Sequence, residues 1–187
     1  MLDHFDLLAP LYDRVIGPPD PAHLRELLGL PTAGRLLDAG GGTGRVTAQL
    51  CGLAREIVLL DHSLPMLRQA QAKGLATLKG DVARMPFPDA CFDRVVVVDA
   101  LHHFVDASAA IADLLRVLKP GGRLVIEEPD TQHRIVRLLA LAERLALMDS
   151  HFFAAAAIRE MTLAHGAQTR IVADGRFAAW LIAEKPL

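Results

Sequence analysis

Apolar residues in this chain come in short runs whose period changes along the sequence. Residues 20–30 place Leu24, Leu27 and Leu28 on one side of a 3.6-residue period, with Pro21 near the start. That pattern predicts an amphipathic helix, ended by Pro31 and Gly34. Residues 35–38 read as a short strand entering a glycine cluster, and residues 43–53 as a helix. Residues 56–61 (EIVLLD) are too apolar to alternate, as expected of a strand buried on both faces. Ser63 is placed to cap the next helix, with Pro65 in its first turn and Gly74 at its end. Residues 76–79 predict a third strand, and a loop with Pro86 and Pro88 follows. Residues 94–99 carry the valine run Val95 to Val98, the strongest strand signal in the chain. Residues 108–118 predict a helix stopped by Lys119-Pro120-Gly121-Gly122, and residues 123–127 a fifth strand. Two helical segments fill residues 131–165. Residues 169–173 and 177–182 then flank Asp174-Gly175, the turn pair of a tight hairpin.

Strands alternating with helices imply a doubly wound α/β sheet, largely parallel. The terminal hairpin forces one of its two strands to oppose the rest. At 187 residues the chain is expected to form one domain spanning 1–187. Its 20 Lys and Arg against 22 Asp and Glu leave no excess of basic charge, which argues against a dedicated nucleic-acid binder. Cys51 and Cys91 cannot build a disulfide framework or a CxxC metal site, so a reducing cytoplasm is expected. The acidic start, Met1 to Asp6, lacks the basic region of a signal peptide. The most apolar stretch, residues 135–158, is interrupted by Arg137, Glu143, Arg144, Asp149 and His151, so no membrane insertion is expected.

The candidate chemistry begins where the first strand ends, at Asp38-Ala39-Gly40-Gly41-Gly42-Thr43-Gly44. Ligands of open α/β sheets bind at that edge. Gly40, Gly42 and Gly44 permit a tight turn and let a ligand lie against bare backbone. A dinucleotide fingerprint requires GxGxxG, and its third glycine would fall at Arg45 or Thr47. Asp61 ends the second strand about 20 residues further on, where a carboxylate can accept from both hydroxyls of a ribose. A ribose acid beside a glycine loop without the pyrophosphate fingerprint points to a nucleoside ligand.

These residues resemble motif I of the class I S-adenosylmethionine-dependent methyltransferases. The resemblance continues in order. Leu60-Asp61 resembles the ribose acid, Gly80-Asp81-Val82 through Asp89 the adenine loop, and Phe92-Asp93 the lead into the fourth strand. Ala100-Leu101-His102-His103-Phe104 and Leu118-Lys119-Pro120-Gly121-Gly122 resemble the later motifs. The opening, His4-Phe5-Asp6 to Tyr12-Asp13, resembles the ubiquinone/menaquinone-biosynthesis branch. The resemblance implies a Rossmann-like sheet of seven strands in the order 3-2-1-4-5-7-6. It implies S-adenosylmethionine as cofactor. Gly40, Gly42 and Gly44 would approach its amino-acid end and ribose, and Asp38 would hold the loop or the ammonium. Asp61 would bind the ribose, with His62 beside the adenine. Asp81 would accept from the adenine amino group and the Val82 amide would donate to the ring. Tyr12 would close over the cofactor, and Asp99 would lie beside it after the fourth strand.

The implied reaction is in-line displacement at the sulfonium methyl, which asks the protein mainly to position an acceptor and exclude water. If the acceptor must lose a proton, the base candidates at the strand ends are Asp99, His102 and His103 after the fourth strand and Glu127, Glu128 and Asp130 after the fifth, with His102, His103 and Glu128 foremost. Glu127, Asp130 and His133 lie nearby, but the helical His-xxx-His spacing of zinc enzymes is absent and no metal is expected. The apolar segment 131–150 is placed to cover an apolar or aromatic small-molecule acceptor, or to form a homodimer interface. A binding protein without transferase activity, acting as regulator or partner subunit, is the alternative from another class.

Overall fold

Four valines in a row are stable at the centre of this molecule because helices cover both faces of the sheet there. Val95 and Val97 pack in the layer of Ile111, Leu114 and Ile158, whereas Val96 and Val98 pack in the layer of Leu24, Leu28 and Trp180. With both sides buried, alternation of polar and apolar residues is lost, as the sequence pattern anticipated. The computed structural model describes residues 19–131, 133, 136, 151–173 and 177–187.

Helix α1 (Pro21–Leu28) starts on the Asp20 carboxylate, which accepts from the Ala22 amide, and closes on Gly29 in the left-handed region. It leads into β1 (Thr32–Ala39) and the short α2 (Thr47–Leu50). β2 (Ala54–Asp61) and α3 (Leu64–Ala72) follow, with Ser63 capping α3 as expected. β3 (Thr77–Lys79), β4 (Phe92–Val98), α4 (Ala107–Val117) and β5 (Leu118–Pro129) complete the alternating part. The chain ends with α5 (Ala155–Ala164), β6 (Gln168–Ala173) and β7 (Ala178–Glu184). The seven strands lie in the order β3-β2-β1-β4-β5-β7-β6. Strands β1 to β5 are parallel where they pair, and β7 runs antiparallel to both β5 and β6. This is the Rossmann-like order that the resemblance implied. No helix among the described residues is long and apolar enough to cross a membrane.

Two expectations shift. The helix expected over residues 43–53 is confined to Thr47–Leu50, because the glycine turn continues through Gly44 at φ +77° and Gly52 turns the chain again at φ +78°. β5 begins at Leu118 rather than Arg123. Lys119-Pro120-Gly121-Gly122 is a bulge inside the strand, between the pairs Phe92 with Leu118 and Arg94 with Arg123. The bulge is bound to the chain's last residues, since the Gly121 amide donates to the Lys185 carbonyl at 2.8 Å. The hairpin pair Asp174-Gly175, and nearly all of the segment expected to cover the acceptor, lie outside the described residues.

Lys185 also closes the end of α4. Its ammonium donates to the carbonyls of Leu115 and Leu118, both at 2.8 Å. These are carbonyls that a helix end cannot satisfy internally. Lys185→Met is expected to lower unfolding free energy by about 1–3 kcal/mol, read from urea denaturation midpoints at constant slope.

Candidate functional site

The crest of the sheet opens between β1 and β4, where the strand order reverses and the two following loops diverge. The loop after β1 is the glycine run. The Gly40 amide donates to the Leu60 carbonyl at 2.7 Å, so the turn begins against the end of β2. Gly40 has φ +75°, and a Cβ there would stand 2.9 Å from the Ala100 Cβ. Only glycine lets the loops after β1 and β4 touch. Gly42 has φ +53° but a Cβ would meet nothing closer than 4.0 Å, because this residue faces open space. Gly44 lies on the other side, where a Cβ would meet Leu75 at 2.3 Å. Gly41 is the glycine that the GxGxG spacing overlooks. Its φ is ordinary, but a Cβ would stand 2.7 Å from Leu59 and 2.8 Å from the Asp38 carboxyl carbon.

Two buried acids stand behind this loop. Asp61 is 7% exposed, and its two oxygens accept from the Gly42 and Ser63 amides, each at 2.8 Å. One carboxylate thus ties the glycine loop to the start of α3. Asp38 is 1% exposed and accepts from the Thr47 hydroxyl. Burial pushes its pKa up to about 6, against the opposing effects of the Thr47 hydrogen bond and the Arg45 charge. Burial also raises Asp61, opposed by its backbone hydrogen bonds and the His62 ring, whose Nδ1 is 3.7 Å away.

On the β4 side, residues 100–104 form a tight turn fastened from below. Glu128, at the end of β5, is 2% exposed. Its Oε1 accepts from the amides of Ala100 at 2.9 Å and Leu101 at 2.6 Å, and its Oε2 from His102 Nδ1 at 2.6 Å. His102 is equally buried and stacks on Phe152 with ring centroids 4.5 Å apart. Asp99 has φ +54°, and its carboxylate accepts from Arg45 at 3.4 Å.

These loops border a cleft that is open to solvent. Asp38, Gly40, Gly42, Asp61, His62, Asp99 and His103 line it among the residues singled out from the sequence. Gly44 does not, and serves packing. His102 and Glu128, expected at the mouth as base candidates, lie beneath the wall instead, because their polar atoms are consumed in holding the turn. Asp81 and Val82 also fall outside the lining. They stand at the end of β3, where the Gly80 amide donates to the Asp61 carbonyl at 3.0 Å. Asp81 caps the turn Val82–Arg84 through the Ala83 amide, and Val82 is buried. Tyr12 lies outside the described residues. Sequence reading missed Arg45 and Met66 in the lining. Met66 was in principle legible, one helical turn beyond the Ser63 cap. Nothing local marked the anchoring use of Glu128.

A Rossmann-like sheet with a glycine-floored cleft at its switch point defines a doubly wound α/β protein with a candidate ligand site at its strand ends. A family model described as "Methyltransferase domain" matches residues 37–126 of this chain. Over 107 residues the chain is 38% identical to a demethylmenaquinone methyltransferase of Mycolicibacterium vanbaalenii. That match covers 57% of this chain and 47% of the relative, so the chain spans about half the length of such curated relatives. A solved methyltransferase from Haloferax volcanii, in complex with the activator Trm112, superposes with a TM-score of 0.81 at 19% identity, covering 100% of both chains. The [4+2]-cyclase SpnF superposes with a TM-score of 0.80 at 21% identity, covering 98% of this chain and 94% of its own. At these identities the likeness is one of fold.

The glycines separate by stability. Gly41→Ala must displace fully buried Leu59 or the Asp38 carboxylate, and is expected to cost more than 2 kcal/mol. Gly42→Ala meets only the strain of a left-handed backbone, about 1–2 kcal/mol. Denaturant unfolding of the two variants measures the difference. Asp38 adds a pH dependence. Its folded pKa of about 6 exceeds the ordinary value of 3.8, so the folded state favours the neutral acid. Its contribution therefore declines by about 3 kcal/mol as pH rises through that window. Asp38→Asn is expected to flatten the stability profile between those pH values.

Proposed function

We propose that this protein is an enzyme that transfers a methyl group from S-adenosylmethionine to a small-molecule acceptor. One observation carries the reading: a bare glycine floor and the buried Asp61 carboxylate line a single cleft, inside the segment that matches the methyltransferase domain family. The fit to an adenosyl ligand rests on that cleft. Gly42 leaves its Cβ position empty toward open space, so a ligand can lie against the backbone. Asp61 already accepts from the Gly42 and Ser63 amides with the His62 amide beside them, yet a carboxylate has about four acceptor positions and retains capacity for a ribose hydroxyl. Two buried acids suit a cationic ligand, and Met66, Val98 and Phe104 supply apolar wall for its flat and aliphatic parts.

When bound, S-adenosylmethionine supplies a methyl group already activated by a sulfonium. In this reading Asp61 binds the ribose, and Asp38, ionised at neutral pH, faces the ammonium across the floor made by Gly40 and Gly42. His62, 58% exposed at the rim, flanks the adenine, with Asp81 and Val82 reading its edge. Asp99 lines the wall beside the reacting end, held by Arg45. Of the base candidates, Asp99 and His103 line the cleft. His102 and Glu128 are positioning residues that set where the His103 backbone stands. Gly44 supports the floor by packing on α3, and Tyr12 is assigned to closure over the ligand. The acceptor is taken to be apolar or aromatic, in keeping with the apolar wall and with relatives named for demethylmenaquinone. We place the protein in the cytoplasm, in keeping with its free Cys51 and Cys91.

Thermal unfolding with S-adenosylmethionine, S-adenosylhomocysteine and NAD in parallel tests the reading. A ligand at 100 times its Kd adds about 2.7 kcal/mol, or roughly 5–10 °C for a chain of this size. Shifts with the two adenosyl ligands alone are expected, and a shift with NAD alone would overturn the assignment. Asp61→Ala is expected to lose those shifts and about 1–3 kcal/mol of stability, since two amides lose their acceptor. Methyl transfer to an acceptor then separates the enzyme from a binding protein. Affinity for S-adenosylhomocysteine is expected to rise as pH increases through about 6, because the ionised Asp38 attracts the ammonium. Titration calorimetry on wild type and Asp38→Asn checks that this slope disappears in the variant.

A further inference from the structure

Arg116 sits outside the cleft, on the C-terminal turn of α4, and five of its hydrogen bonds converge on one place. Asp113, one turn earlier, grips it from two sides, with Oδ1 accepting from Nε at 2.6 Å and Oδ2 from Nη2 at 3.2 Å. The same Asp113 Oδ2 accepts from the Met85 amide at 2.7 Å. Nη2 donates to the Met85 carbonyl at 3.1 Å, and Nη1 to the Phe87 carbonyl at 2.7 Å. The Asp113–Arg116 pair thus serves Met85 as a neighbouring strand would, satisfying both its N–H and its C=O. The fifth bond, from Nη1 to Asp89, is made to a side chain 77% exposed and contributes little.

The clamped loop is fastened underneath as well. Val82 and Met85 are each 5% exposed in the core, and Phe87 meets Phe92 edge-on with centroids 4.9 Å apart. Further along, the Ala90 amide donates to the carbonyl of Arg116 itself at 3.0 Å. At its start, the Gly80 amide is bound to the Asp61 carbonyl. The segment between, Asp81 and Val82, is where the cofactor reading places nucleobase recognition. Where its amide and carboxylate stand depends on the loop keeping this shape.

We propose that Arg116, held by Asp113, is a positioning residue for base recognition, fixing the loop 81–87 from behind so that it discriminates a 6-aminopurine from a 6-oxopurine. The proposal rests on the cofactor reading above. Lysine cannot replace Arg116 fully, because a single ammonium cannot serve both carbonyls and the Asp113 carboxylate at once.

The test measures Kd by titration calorimetry for S-adenosylhomocysteine and S-inosylhomocysteine, which differ only at the purine edge. Wild type is expected to prefer the adenosyl ligand at least about tenfold, and Arg116→Met to reduce that preference toward unity. Arg116→Lys, which keeps the charge, should retain part of it and keeps the test usable where Arg116→Met does not fold. Hydrogen exchange at the Met85 amide should accelerate in both variants. A residue that merely stabilises the fold would weaken both ligands in proportion, so a variant with its preference intact overturns the proposal. Wild type that binds both ligands equally also overturns it while leaving the cofactor reading standing. Wild type that binds neither overturns both.

Discussion

Each oxygen of the Asp61 carboxylate holds one backbone N–H, from Gly42 and from Ser63, and the cleft is organised around that pair. A parallel sheet brings all its strand ends to one edge, where the loops that follow carry N–H groups without ladder partners. Asp61 at the end of β2 meets this need for the loop after β1. Glu128 at the end of β5 does the same for the loop after β4, taking the amides of Ala100 and Leu101. The two anchors stand on either side of the switch point, each on the strand next to the loop it holds. The loops are thereby shaped before any ligand enters.

This arrangement places negative charge where water is scarce. Asp38 and Asp61 are both raised by burial, the cost of keeping ionised acids in the wall. Such a wall discriminates by charge as well as shape. It favours a ligand carrying positive charge, and a bound cation relieves the repulsion between the two acids. The glycines divide the remaining work. Gly40 lets two loops touch, Gly41 leaves room for Asp38, and Gly42 leaves its Cβ position facing open space at the cleft.

Helix α4 connects the two ends of this site. Asp106 caps its start just after Phe104 in the cleft wall, while Asp113 and Arg116 near its end hold the loop after β3. Lys185 closes its last turn from the opposite end of the chain. A disturbance in this one helix therefore reaches both the loop after β3 and the turn after β4.

The sequence by itself determined the alternation of strands and helices, the antiparallel end, the Ser63 cap and the positions of Asp38 and Asp61. Those features depend on local periodicity, turn chemistry and distance along the chain. It also marked Gly40, Gly42 and Gly44 as special, but not why Gly41 must be glycine, since that reason is a side chain packed from β2 and another from β1. The KPGG run read as a helix stop and proved to be a bulge too, because its partner is the chain's last segment. Only the tertiary structure decided that Glu128 and His102 anchor a turn while His103 lines the cleft. Neighbours in sequence acquire opposite roles when a tight turn sends one inward and the next outward. Arg116 was likewise invisible in advance, because its partners on the loop lie 29 and 31 residues away in the chain.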